Sequence, residues 1–300
     1  MSTTALCATI HPGVLPFVEP FLASIARQSD PDADVWLALD GVGAGQVRAL
    51  APAGLSPRFL QAPAGSSPAE IRTVLFGEVS RSYELAVLAD ADDVLEVSRV
   101  AAAKAATRDT DVSACAMRLI DRAGGDLGRD FGGLADGSPA SLDELLSRSN
   151  VFGLSNSCYR TSVLAACLPV PPTCAAADWY LVTAARLRGA RLSFDPGRHL
   201  RYRQYEANIA PVLPPFSAAS IVRATAIVRS HHALVARLDG GEGSLRAALR
   251  AARSDLELFV AAIADPAVLA RYVRAVNELP PPQVWWTMVA NLELEGLWRQ

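Results

Sequence analysis

Hydrophobic and polar positions along the 300-residue chain fall into two textures that meet near residue 215. Before that point, apolar runs of strand length alternate with longer stretches whose apolar residues recur at helical spacing. Residues 5–10, 35–39, 58–61 and 85–89 read as strands. Between them, 17–27 sets Phe17, Phe21 or Leu22, and Ile25 along one helical face, and 69–80 reads as a second helix. Such alternation predicts a mostly parallel sheet with right-handed crossovers. Further on, 97–107 reads as helix, 112–120 as strand, and the Gly- and Asp-rich 121–139 as a loop. Ser141-Leu142-Asp143-Glu144 fits a capping box that opens a short helix. A strand-like stretch follows at 151–160, then a Pro-rich break at 169–172 and a helix over 175–188 that Gly189 stops. Residues 191–194 and 200–202 look like edge strands.

The texture changes after the Pro-rich 211–215. Residues 217–238, 244–263 and 266–279 are helical in pattern, broken at Gly240-Gly241 and Asp265-Pro266. The first sets Ile221, Val222, Thr225, Val228, His232 and Val235 near one face. The second does the same with Leu245, Ala248, Ala252, Leu256, Phe259 and Ile263. Stripes of this kind have to be buried. The expected division is an α/β domain over 1–215 and a helical region over 216–300. Trp285 and Trp286 cannot both face one core from a regular helix or strand. One is expected to meet the α/β domain and the other a partner, most simply in a homodimer. His231 and His232 read as structural or surface groups.

Composition narrows the function classes. A hydrophobic share of 51% excludes disorder, and a net charge of −3 gives no reason to expect nucleic acid or an anionic membrane as partner. Five cysteines, odd in number and without a Cys-x-x-Cys pair, fit a reduced, cytoplasmic protein. No signal-peptide pattern and no apolar run of transmembrane length is visible.

The strongest chemical signal is Leu85-Ala86-Val87-Leu88-Ala89-Asp90-Ala91-Asp92-Asp93-Val94. An apolar strand ends in three acids within four positions. Ligands of open α/β sheets bind at the carboxyl ends of strands. Carboxylates gathered there repel one another, and a hard divalent cation such as Mg²⁺ or Mn²⁺ relieves that repulsion. Because magnesium usually partners phosphate, a nucleoside diphosphate is the natural second guest. A solvated turn capping the next helix is the plain alternative.

Five pieces in order then resemble the family-2 glycosyltransferases. They are Ser24-Ile25-Ala26-Arg27-Gln28, Leu37-Ala38-Leu39-Asp40-Gly41, the acidic strand end, Asp178-Trp179-Tyr180-Leu181, and Tyr202-Arg203-Gln204-Tyr205-Glu206-Ala207-Asn208. The last string is similar to a signature of a bacterial rhamnosyltransferase-like subgroup. Leu39, Ala177 and Tyr205 depart from the family pattern, which usually has acidic or histidine residues there.

The resemblance implies a GT-A nucleotide-diphospho-sugar transferase fold and inverting transfer from a nucleoside-diphosphate sugar to a hydroxyl of a glycan or other acceptor. Under it, Asp92 would hold the divalent metal (Mn²⁺ or Mg²⁺), with Asp90 supporting the metal or the donor ribose, and Asp93 capping a helix. Asp40 and Arg72 would contact the donor base or phosphate, Thr9 and His11 would line the base pocket, and Arg203 would face the phosphates. Asp178 would be the general base that takes the acceptor's proton. Asn156, Ser157 and Trp179 are candidate acceptor contacts. A sugar nucleotidyltransferase, or a non-catalytic nucleotide-sugar binder, stays open as an alternative. The former usually carries a Gly-rich loop with lysine near the N-terminus, whereas His11-Pro12-Gly13-Val14 has none nearby.

Overall fold

In a computed structural model, which describes residues 2–134, 139–206, 208–239 and 243–299, the first apolar run becomes β1 (Thr4–Ile10), buried at nearly every position. α1 (Leu15–Ala26) follows with Phe17, Val18, Phe21, Leu22 and Ile25 buried, the spacing its sequence predicts. Then come β2 (Asp34–Leu39), α2 (Ala44–Leu50), β3 (Arg58–Gln61) and α3 (Pro68–Val79). A reciprocal capping box between Ser67 and Glu70, with proline at the first helical position, fixes the start of α3. β4 (Leu85–Leu88), β5 (Val94–Leu95), α4 (Arg99–Ala106), β6 (Val112–Ile120) and β7 (Asp126–Phe131) complete the first half. After α5 (Pro139–Arg148) the chain adds β8 (Ser157–Arg160), α6 (Thr161–Ala166), α7 (Ala177–Leu187) and β9 (Leu192–Arg203).

The strands form one mixed sheet in the order β3-β2-β1-β4-β8-β6-β9-β5, with β7 added on β6. β3, β2, β1 and β4 run parallel, whereas β8 is antiparallel to both β4 and β6. β1, β2 and β4 are near-continuous apolar runs because helices cover both faces of a parallel sheet. This is the mixed α/β architecture, with helices flanking a central sheet, that the chain's alternating pattern implies.

Several elements differ from the sequence expectation: α2 and α6 have no counterpart in it, the strand expected at 151–160 is confined to β8, and α5 begins at Pro139, ahead of the capping box expected at Ser141. The loop expected at 121–139 contains β7, which Arg118 on β6 secures through Asp126 (2.8 Å) and Asp130 (3.1 Å). The two edge strands expected at 191–194 and 200–202 are one strand, β9, whose register against β6 shifts on either side of Ala116. The shift falls opposite Pro196-Gly197, where proline supplies no N–H to the ladder.

The chain divides into two compact units, Met1–Asp130 with Phe152–Arg203, and Phe131–Val151 with Gln204–Gln300. The second is helical and takes α5 from the middle of the sequence, along with α8 (Ala218–Val235), α9 (Ser244–Ile263) and α10 (Pro266–Glu278). Within it, α5 is bound to α9 by Arg148–Asp255 (2.7 Å) and by a Ser244–Asp143 hydrogen bond. The predicted stripes are buried with small changes: Ala224 replaces Val222 and His231 joins in α8, and Leu249 replaces Ala248 in α9. Phe259 packs edge-on against Tyr272 and Trp298.

His231 and His232 are both buried. So are both tryptophans of the Trp285-Trp286 pair, with Trp285 against Phe131 at 4.8 Å and bridged to Asn150. What regular geometry forbids, Trp286 achieves with φ at 74°, a left-handed conformation that redirects the chain between the two rings. Among the described residues, no helix is long and apolar enough to cross a membrane.

Candidate active site

The acidic turn is anchored at both ends by the sheet. Ala89 donates its N–H to Cys7 on β1 (2.9 Å), and Val94 pairs with Arg201 on β9. Between these points Asp93 N–H donates to the Asp90 carbonyl (3.2 Å), closing the turn.

Asp93 is fully buried and caps no helix, because α4 begins at Arg99. Its carboxyl instead accepts the Arg203 backbone N–H (2.7 Å) and meets the Ser155 hydroxyl. Burial first, then the charges of Asp92 and Asp90, hold this carboxyl well above the usual range. Ser155 Oγ also donates to Asp90 (2.9 Å). One hydroxyl proton cannot serve two carboxylates, so a proton retained on Asp93 makes the pair of contacts consistent.

Arg203 is buried, and its guanidinium is occupied by backbone. Nε donates to the Asp92 carbonyl (2.6 Å), and Nη1 to the carbonyls of Asp121 (3.1 Å) and Arg122 (2.8 Å). The residue expected to face phosphates is therefore a clamp on the acidic turn. The same signature string ends in the second unit, where Tyr205 N–H donates to Asn208 Oδ1 (2.6 Å) and closes a loop.

Thr9, Arg72 and Asp90 line one recess, walled by Leu75 and Leu154. Its volume is about 10 Å³, room for one water, so a ligand between Thr9 and Arg72 requires a side chain to swing aside. Asp40 stands at the end of β2, its N–H donating to Ile10 beside His11 (2.9 Å). The exposed His11 accepts the Gly13 N–H at Nδ1 (3.2 Å) and so caps a short 3-10 turn.

Asp178 occupies the second position of α7, whose cap residue is Ala176, so it is not the N-cap. Some of its surface remains open, yet dense surrounding protein pushes its carboxyl up to about 6. Burial is the largest cause. The Trp179 N–H opposes it, Asp90's charge adds to it, and Arg72 counters. Asp178, Asp90 and Arg72 are thus electrostatic neighbours.

Three expected acceptor contacts lie in the interior. Trp179 is fully buried in the core, and Asn156 and Ser157 lie inside the sheet region, with Asn156 Nδ2 donating to the Cys115 carbonyl (2.6 Å). Burial of all three side chains keeps them from a ligand at the surface. Sequence reasoning missed Ser155 and the buried Arg99, which donates to the Ser157 carbonyl (2.8 Å).

For a divalent cation, Asp90 and Asp92 supply hard oxygen donors at a strand end, and the strain their charges impose on Asp93 is what a cation relieves. No set of three His, Cys, Asp or Glu side chains among the described residues is arranged to hold a metal. The donor set fits magnesium or manganese shared with phosphate oxygens, not an all-protein cage.

The fold has clear counterparts among solved structures. A mannosyltransferase from Pyrobaculum calidifontis, solved with GDP-Man and Mn²⁺, matches at TM-score 0.61 and 16% identity over 93% of this chain and 76% of that one. S. aureus TarS 1–349, solved with UDP-GlcNAc, matches at TM-score 0.59 and 14% identity over 86% of this chain and 73% of that one. The fold, a mixed central sheet flanked by helices, is therefore one this chain shares with these two solved structures. No protein-family profile matches the chain, and no curated protein sequence does.

Proposed function

We propose that the protein is an inverting, family-2-like glycosyltransferase that moves a hexosyl-type sugar from a nucleoside diphosphate to an acceptor hydroxyl. What supports this reading is the acidic turn at the end of β4, tied by Ser155 and Arg203, with Asp178 an electrostatic neighbour of its Asp90. Asp90 and Asp92 would hold Mn²⁺ or Mg²⁺ with the donor phosphates. When bound, such an ion supplies charge stabilisation of the leaving diphosphate worth several kcal/mol.

The remaining roles belong to the chain. Ser155 and Arg203 keep the turn in one conformation, so the carboxylates need no reorganisation. Asp40, His11 and Thr9 offer acceptors and a ring along the β1–β2 ends for the donor base, with Arg72 able to swing towards its phosphates. Asp178 takes the proton from the acceptor hydroxyl as that oxygen attacks the anomeric carbon from the face opposite the leaving group. A reduced cytoplasmic setting, suggested by five unbridged cysteines, and a homodimer built through the helical region complete the reading. The rhamnosyltransferase-like signature favours a deoxysugar donor, whereas the structural neighbours hold GDP-Man and UDP-GlcNAc.

Calorimetry with GDP, UDP and dTDP, each with and without Mn²⁺, tests the donor half. At least one is expected to bind in a Mn²⁺-dependent manner that Asp92→Asn abolishes. Failure of all three, or metal enhancement unchanged in Asp92→Asn, would overturn the assignment.

A further inference from the structure

A second cavity lies on the other flank of the acidic turn, within the α/β unit. It has a volume of about 520 Å³, in the size range of small-molecule sites. Pro16, Phe17 and Pro20 of α1 form one wall. Arg122, just after β6, and Arg201 and Arg203 of β9 form the other. Among the described residues, three arginines line this cleft and no carboxylate does.

The charges are held in place before any ligand arrives. Arg203 lies 4.7 Å from the centre of the Phe17 ring and Arg122 5.5 Å, and backbone carbonyls fix the Arg203 fork without cancelling its charge. Arg201 pairs with Glu96 (2.6 Å) in an exposed contact, which costs little to exchange for a ligand's oxygens. Arg203 therefore contributes charge, while the guanidinium forks of Arg122 and Arg201 match phosphate and carboxylate oxygens. Pro16 and Pro20, one helical turn apart and both exposed, add a carbon-rich flank that a lone anion would leave uncovered.

We propose that this cleft is a second ligand site, distinct from the donor site, which takes a saccharide bearing a phosphate or carboxylate group. Titration of the full-length protein with glucose 6-phosphate, glucuronate, glucose and inorganic phosphate, followed by NMR, tests it. One or both charged sugars are expected to bind, with glucose and inorganic phosphate each about tenfold weaker or worse. Arg122→Glu, and Pro20→Glu, which places a carboxylate on the apolar wall, should each weaken the charged sugar by about tenfold or more while circular dichroism stays unchanged.

Inorganic phosphate binding as tightly as the sugars would reduce the cleft to a simple anion site and overturn the proposal. So would displacement of the sugar by UDP or GDP, or binding that neither variant alters. A protein that binds the charged sugars but no nucleotide would defeat the transferase reading and leave this site standing.

Discussion

Asp178 carries a cost in stability at neutral pH. Its folded pKa of about 6 lies above the ordinary carboxylate value, so the folded state binds more protons than the unfolded one between about pH 4 and 6. Stability contributed by the protonated form is complete below that window and is lost as pH rises through it, amounting to no more than about 3 kcal/mol. Asp178→Asn is therefore expected to melt at a higher temperature than wild type at pH 8. Transfer should drop by about 10²–10⁴-fold while donor affinity holds. In the wild type, activity should decline as pH falls through about 6, because the protonated group no longer accepts.

Ser155→Ala acts on the same cluster. It removes a partner from the buried Asp93 and should cost about 1–3 kcal/mol in urea unfolding. Asp90 and Asp92 stand out in the sequence at an abrupt apolar-to-acidic change, whereas Asp178 stands out only through the Asp-Trp helix start that resembles the family. Ser155 does not stand out, and Arg203 stands out for a different role, since their hydrogen bonds to the turn span 62 to 111 positions of sequence.

At the scale of the element, legibility follows how much of each element is specified locally. α3 was visible from its apolar spacing, and its start is set by local caps. Ser67→Ala should destabilise the protein by about 1 kcal/mol in thermal unfolding. β7 was invisible because Asp126-Leu127-Gly128-Arg129-Asp130 reads as turn chemistry, and only Arg118 across the ladder reveals its partner. The Trp285-Trp286 reading assumed regular backbone, and Trp286 does not have it. Trp286→Ala should cost about 3–5 kcal/mol, since loss of a buried indole outweighs any relief at that position.

For the whole molecule, the two units are expected to respond differently to acid. In the helical unit, burial pushes His232 down to about 4, helped by Arg253 and Arg148, and pushes His231 down too. Their ordinary value is about 6.5, so between that and about pH 4 the unfolded chain takes up protons that the folded unit refuses. Stability is full above about pH 6.5 and falls as pH drops towards 4, by on the order of 3 kcal/mol for His232 alone. Calorimetry should show the helical unit's transition moving to lower temperature over that window, and His232→Gln should blunt the shift.

The helical texture after residue 215 was readable from its stripes. The membership of α5 was not, because nothing local in its ten residues names a partner as distant as α9. That distance has a consequence for how the chain is made. α5 leaves the ribosome before α9 exists, with Arg148 and Asp255 separated by 107 positions. At about 5–20 residues per second, α5 waits on the order of 5–20 s for its partner. During that interval its apolar Leu142 and Leu146, buried in the finished protein, stay uncovered on the nascent chain. Recombinant yield should therefore depend on translation speed and chaperone supply, and a chain cut after 216 should aggregate through α5.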